Sequence, residues 1–218
     1  MLSAVDVVLP CLNEAEALPG VLRALPAGYT ALVVDNGSTD GTPAVARELG
    51  ARVVFEPRRG YGAAVHAGLV QSSTEIVAVL DADGSLDPGA LPELVRAVAE
   101  DRADLAVGRR VPVAWGVQPW HARAVNAGLA ALLRRRGLPV HDIAPIRVAR
   151  RAKLLNLGVT DRGFGYPLEL LLRAADAGWR VYEMDLTYRP RRGGQSKVSG
   201  SLRGTLRAAR DMAAVIRG

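Results

Sequence analysis

The sequence predicts an α/β domain with a Rossmann-like, mostly parallel central sheet flanked by helices. Three observations predict it. Short apolar runs alternate with helix-length segments through the first half of the chain. The runs are continuous rather than alternating, the pattern of strands buried on both faces. The segments between them show helical spacing, as with Leu91, Leu94, Val95 and Val98 at i, i+3, i+4 and i+7.

In chain order, the strands are expected at residues 5–9, 31–34, 52–55, 76–80 and 105–107, with helices at 13–25, 42–49, 62–72 and 88–100. Thr42-Pro43 and Asp87-Pro88 each read as a capping residue followed by proline at the first helical position. Such a βαβ series gives a sheet covered on both faces. Beyond it, residues 111–121 form a loop rich in Pro and Trp. Helices follow at 122–133 and 167–177, then a strand at 180–188. The basic, glycine-rich segment "RPRRGGQSKVSG" leads into a last helix at 202–217. Without an internal repeat or low-complexity linker, residues 1–218 read as one domain.

The composition, 49% hydrophobic and 23% charged over 218 residues, is that of a folded chain with a full core. No stretch reaches the roughly 18–20 uninterrupted apolar residues that span a bilayer. The opening "MLSAVDVVLP", interrupted by Asp6, reads as a first strand rather than a signal peptide. The single cysteine, Cys11, excludes an internal disulfide and a cysteine-cluster zinc site, and a cytoplasmic location is expected. A net charge of +6 and a pI near 10.1 point to an anionic partner. Nucleic acid is not expected: aromatic content is 5% and no RNP, zinc-finger or OB signature is present. Nucleotides, phosphates and acidic membranes would be served equally by the charge.

Acidic side chains gather at the carboxyl ends of the early strands, the rim where α/β proteins place ligands. In "LPCLNEAEAL", Pro10 ends the strand, and Asn13 and Glu14 stand at the expected start of the next helix. Asp35 ends the second strand in "VVDNGSTDGT", where a carboxylate suits a ribose hydroxyl or a base N–H. In "LDADGSLDP", Asp81 and Asp83 flank Ala82 on a turning strand end, so both can reach one point. Hard cations take oxygen ligands, and Mg²⁺ or Mn²⁺ is typically held by one or two carboxylates and substrate phosphates. The expectation is a metal–diphosphate site. A loop acid pair used for capping is the plainer alternative, and Asp87 already fills that role.

"VVLPCLNEAEAL", "LVVDNGSTDGT", "GYGAAVHAGL" and "VAVLDADGSLDPGALPEL" resemble the successive motifs of family 2 glycosyltransferases with the GT-A fold. The later part resembles the dolichol-phosphate mannosyltransferase-like branch through Arg191, Gly194, Ser196 and Lys197 of "RRGGQSKVSG". The likeness implies a nucleotide-sugar-binding half at 1–110, an acceptor half at 111–200 and a C-terminal amphipathic basic helix at 201–218. It implies that Pro10, Leu12 and Glu14 line the base and ribose, with Asp35 facing the nucleoside. Asp81 and Asp83 would hold the divalent ion, and Ala82 and Ser85 between and beside them would also bind the nucleotide sugar. Arg109 or Arg110, Arg191 and Lys197 would approach the phosphates. Leu12 stands where many relatives have Tyr, and Asn36 replaces the second Asp of a frequent "DDGS" form.

The implied reaction is an inverting, metal-dependent transfer from a UDP- or GDP-linked sugar, with a polyprenyl phosphate as the favoured acceptor. The enzyme would then work at the inner face of the membrane. A soluble hydroxyl acceptor is one alternative. A non-catalytic nucleotide-sugar or nucleic-acid binding module is the alternative of another class. A hydroxyl acceptor needs a base and an ionised lipid phosphate does not. Glu169, in "GFGYPLELLLRAADAGWRV", is the candidate base or acceptor-positioning group, with a dipole-favoured helix Glu as the structural alternative and Asp161 as a rival. His66, His121 and His141 share no metal-ligand spacing and read as structural, although Trp120 and His121 stand near the expected acceptor cleft. Cys11 reads as a small apolar filler. In the last helix, Arg203, Arg207, Arg210 and Arg217 run beside an apolar stripe, suiting either packing with a solvated edge or an acidic membrane surface.

Overall fold

The computed structural model describes residues 4–114, 116–143, 145–193 and 202–217, with backbone alone for 202–207. The continuous apolar runs become β1 (Val5–Cys11), β2 (Tyr29–Asp35), β3 (Arg52–Phe55) and β4 (Ile76–Val79), all parallel. Between them lie α1 (Leu18–Arg23), α2 (Thr42–Glu48) and α3 (Tyr61–Gln71). After β4 come a short 3₁₀ turn, α4 (Leu91–Ala99) and β5 (Leu105–Pro112). The second half supplies α5 (Trp120–Arg135), β6 (Ile146–Arg150), α6 (Arg151–Asn156), α7 (Tyr166–Asp176), β7 (Val181–Tyr188) and α8 (Leu202–Arg217).

The seven strands form one sheet in the order β3-β2-β1-β4-β6-β5-β7. β6 runs antiparallel to both β4 and β5, while β5 and β7 are parallel. The sheet is therefore mostly parallel, as expected. β5 is not the neighbour of β4, because β6 inserts between them. Sequence reasoning does not anticipate β6 or α6: in "IRVAR" two arginines interrupt the apolar residues, so no continuous apolar run marks the strand.

Successive strand residues point to opposite faces, and both faces are covered. Val5, Val7 and Leu9 pack with Leu18, Val21, Ala46 and the apolar side of α4. Val8, Leu32 and Val34 face Val65 and Leu69 of α3, together with Leu168 and Leu171 of α7. Asp6 is the exception inside β1, only 2% exposed. Its carboxylate accepts from Ser72 Oγ at 2.7 Å and Ser73 N at 2.9 Å, with Arg52 at 3.4 Å, so the buried charge is satisfied.

Two helix starts differ from expectation. α1 begins at Leu18, not near residue 13, because the backbone N–H groups of Asn13, Glu14 and Ala15 bond to Ser38, Thr42 and Asp40 side chains. These bonds hold the stretch as a loop against the turn after β2, and Asn13 stands at φ 57°, a left-handed conformation that a helix does not run through. Thr42 lies inside the first turn of α2 instead of capping it, and Gly41 precedes it in the left-handed region. At Asp87 the expected cap is present, its side chain accepting from Gly89 N. Among the described residues, no helix is long and apolar enough to cross a membrane.

Candidate active site

The carboxyl ends of β1, β2 and β4 form one rim. The β1–α1 and β2–α2 loops are laced together there. Asn13, at φ 57°, accepts from Thr39 N at 2.8 Å, and its own N–H donates to Ser38 Oγ. Thr42 Oγ1 donates to Asp40 at 2.5 Å and accepts from Glu14 N at 2.9 Å. Asp35, 4% exposed, accepts from Gly37 N and Ser38 N, which fixes the turn after β2. Asn36 is a strut: its side chain donates to the carbonyls of Glu56 and Arg58 and accepts from Gly60 N. An aspartate could not make those two donations. In the sequence Asn36 reads only as the replacement of an aspartate, and this role is not legible there.

The acidic pair follows β4. Asp83 Oδ1 accepts from Ser85 N at 2.9 Å, a two-residue turn that orients its carboxylate. Asp81 Oδ1 accepts from the Tyr61 hydroxyl at 3.1 Å. Burial, and then the Asp83 charge, push the Asp81 pKa up to about 6 against the opposing pull of Arg147. Two oxygen-donor side chains one residue apart suit a hard divalent ion completed by phosphates. Among the described residues, no group of three or more His, Cys, Asp or Glu gathers as a self-sufficient metal site. The pair fits Mg²⁺ or Mn²⁺ shared with a diphosphate, and does not fit a closed structural metal.

Cations surround the pair. Arg147 of β6 is 2% exposed, donates to Tyr61 Oη at 3.4 Å and to the Ile143 carbonyl at 3.5 Å, and leaves Nε without a partner. It takes part in none of the ion pairs among the described residues. Arg110 forms a two-point ion pair with the buried Asp142 at 2.8 and 2.7 Å, and its charge also acts on Asp81. Arg191 donates to Glu14 at 2.7 Å and stands 3.8 Å from Asp83. Its segment is strapped over the acidic turn by Arg189 N donating to the Ser85 carbonyl and Arg192 N to the Asp83 carbonyl, both at 2.9 Å.

The remaining candidates divide. Pro10 and Leu12 are half-buried beside this rim, whereas Ala82 and Ser85 are buried beneath it. Arg109 points instead to Asp185 of β7, and Arg110 is the member of that pair whose charge reaches Asp81. Glu169 is not placed as a free base. Its oxygens accept from Thr160 N, Thr160 Oγ1, Asp161 N and Arg173 Nε. Burial would raise its pKa, but the Asp161 and Thr160 N–H groups and Arg173 outweigh that and hold it below its ordinary value. The expected base is the clamp of the loop before α7.

Asp161 accepts from Gly163 N within that loop, and burial raises its pKa. The histidines do not meet: His141 pairs with Glu183 at 2.6 Å, His121 lies edge-on to Trp120, and His66 lies on α3. Cys11 is buried, and burial followed by nearby carboxylates raises its thiol pKa well above the usual value, consistent with a filler. Gly194, Ser196 and Lys197, and the side chains of Arg203 and Arg207, lie outside the described residues.

The profile of the Glycosyl transferase family 2 domain matches residues 6–158, which carry the rim and the acidic pair. The chain belongs to glycosyl transferase family 2. Over 214 residues this glycosyltransferase is 63% identical to an uncharacterized glycosyltransferase of Mycobacterium tuberculosis, covering 98% of each chain. It is 35% identical to the polyprenol monophosphomannose synthase of Mycolicibacterium smegmatis, covering 89% of this chain and 81% of the relative. In fold, it superposes on glucosyl-3-phosphoglycerate synthase of M. tuberculosis, in complex with Mg²⁺ and uridine diphosphate, with a TM-score of 0.78. That match has 25% identity and covers 98% of this chain and 78% of the other. The sheet is thus a GT-A sheet, and this glycosyltransferase is an enzyme of that fold.

Proposed function

We propose that this glycosyltransferase moves a sugar, with inversion, from a nucleoside-diphosphate sugar to a polyprenyl phosphate. The observation that carries the reading is Arg147, a buried guanidinium with an unsatisfied Nε beside Asp81 and outside every described ion pair. A buried guanidinium in no direct ion pair and with an unpartnered Nε is costly, and an entering anion would supply the missing partner. A diphosphate and an acceptor phosphate both supply that charge.

The chain's own groups have distinct tasks. Glu14 and Asp35 lie where the ribose and base of the donor would rest, and Arg191 can pass from the carboxylates to the phosphates. Asp81 and Asp83 would hold Mg²⁺ or Mn²⁺, which supplies charge stabilisation for the departing diphosphate. Preorganised cations aimed at the leaving oxygen lower the barrier without reorganising during the reaction. No protein base is required, because a phosphate monoester is already ionised near neutral pH. The engagement of Glu169 in four hydrogen bonds agrees with that economy.

Two further features support a lipid-borne acceptor. The polyprenol-phosphate relative matches across most of both chains. Val111 at the carboxyl end of β5 and Val113 just after it are exposed, as are Trp120 and Val125 in the first half of α5. Aromatic and aliphatic side chains beside arginines suit a membrane interface. The likeness to a phosphoglycerate-glucosylating enzyme supports a second reading, a small soluble phosphorylated acceptor, which Arg147 would serve equally.

A thermal-shift panel of nucleoside diphosphates with and without Mn²⁺ tests the donor side. Ligand that binds only the native state stabilises it by RT ln(1 + [L]/Kd), about 2.7 kcal/mol at a hundredfold excess over Kd. One diphosphate should raise the melting temperature, and more so with Mn²⁺. A flat panel would contradict the reading.

A further inference from the structure

Tyr61 is the first residue of α3, and its hydroxyl stands between two charges. It donates to Asp81 Oδ1 at 3.1 Å and accepts from Arg147 Nη1 at 3.4 Å. The direction of this chain is fixed by chemistry. A guanidinium can only donate, so the single phenolic hydrogen is committed to the carboxylate. β4 and β6 are neighbours, with Val79 paired to Arg147, so cation and carboxylate project from adjoining strand ends. Yet no ion pair among the described residues joins them. The phenol occupies the gap.

The ring itself is held in place. Gly62 N donates to the Gly163 carbonyl and Ala63 N to the Arg162 carbonyl, tying the first turn of α3 to the loop before α7. A Cβ at Gly60 would meet the Arg162 carbonyl, and one at Gly62 would meet the Tyr166 ring, so both positions require glycine for this close approach. The hydroxyl therefore arrives at a set point rather than sampling the rim.

We propose that Tyr61 is a positioning residue that holds Arg147 and Asp81 apart. A direct pair would neutralise both, leaving Asp81 unavailable to a divalent cation and Arg147 unavailable to an anion. With the phenol between them, each keeps its charge for a ligand. The inference rests on the proposed metal–diphosphate site and adds to it the residue that stops the site from closing on itself.

The test is a double-mutant cycle read by Mn²⁺ affinity, measured by calorimetry with saturating uridine or guanosine diphosphate. Melting temperatures are taken in parallel. Tyr61→Phe keeps the ring and removes the spacer oxygen, so Mn²⁺ should bind at least about tenfold more weakly. Arg147→Met alone sets the baseline for its background, since Arg147 is itself proposed to meet the diphosphate, and the readout is the size of the Tyr61→Phe loss in each background. With Arg147→Met in place, most of that loss should disappear, because no guanidinium remains to fall onto Asp81. A merely structural tyrosine would show the same loss in both backgrounds, and that result would overturn the inference. So would unchanged Mn²⁺ affinity in Tyr61→Phe. Should Tyr61→Phe fail to fold, Tyr61→Gln, which keeps a donor and an acceptor, takes its place and must bind more tightly than Tyr61→Leu. A wild type that binds no Mn²⁺ with either diphosphate overturns the metal-site reading itself.

Discussion

The Arg191 guanidinium reaches the Glu14 carboxylate at 2.7 Å, joining residues 177 positions apart in the chain. The same guanidinium lies 3.8 Å from Asp83. One cation thus spans the two acidic positions expected to hold the nucleoside and the metal. An entering diphosphate offers it further charge-assisted bonds, each worth about 1.5–3 kcal/mol. Arg191→Ala should therefore weaken nucleoside diphosphate binding about 10- to 100-fold in the presence of Mn²⁺. Equilibrium calorimetry checks this, and an unchanged Kd would place the diphosphate elsewhere.

Asp83→Asn keeps the shape of the turn, since an amide oxygen still accepts from Ser85 N. It removes a charge from the proposed ion site. Turnover should fall by orders of magnitude while the melting temperature stays close to that of wild type. Full activity in excess chelator would also contradict the metal's role.

Glu169→Gln separates clamp from base. The variant leaves the N–H groups of Thr160 and Asp161 and the Arg173 cation without a charged acceptor. Stability should drop by about 2–4 kcal/mol, since breaking a buried charged network typically costs that order. The melting temperature should fall by several degrees. Turnover by the folded fraction should remain within about tenfold of wild type. A turnover collapse at unchanged stability would return Glu169 to the role of base.

Asp104 gives the fold an acid limit. Its bonds to Arg180, then to Lys153, hold its pKa well below the ordinary carboxylate value, against the opposing effect of burial. A depressed native pKa stabilises the protein above the unfolded value of about 3.9, and this contribution is lost as pH falls below it. In urea titrations, Asp104→Asn should be clearly less stable than wild type at pH 7. The difference should shrink steadily below about pH 4. A constant difference across that range would show that the carboxylate charge is not what stabilises the start of β5.

The legible part of the site was the part carried by strand ends. Asp35, Asp81 and Asp83 follow continuous apolar runs, so their place on the rim followed from the pattern of burial. What was not legible depended on contacts across the chain. Arg147 sits in a strand that does not look like one, since two of its five residues are arginine and the cation is buried. Glu169 looked like a base because its four hydrogen-bond donors lie on a preceding loop and on the next helical turn. Asn36 looked like a missing charge, while its amide in fact ties β2 to the loop after β3. Hydrogen-bond direction, which separates Asn from Asp there, is not visible in periodicity.

The most direct measurement of the central claim is transfer itself. The purified chain is incubated with Mn²⁺ or Mg²⁺, a panel of radiolabelled UDP- and GDP-sugars, and either a polyprenyl phosphate in anionic vesicles or a soluble phosphorylated acceptor such as phosphoglycerate. One donor should yield label extractable into organic solvent, dependent on the metal and on the lipid phosphate. That label should fall at least about tenfold in Arg147→Met, in line with the loss of a charged partner. Label that passes only to the soluble acceptor, or lipid transfer unaffected by Arg147→Met, would contradict the account.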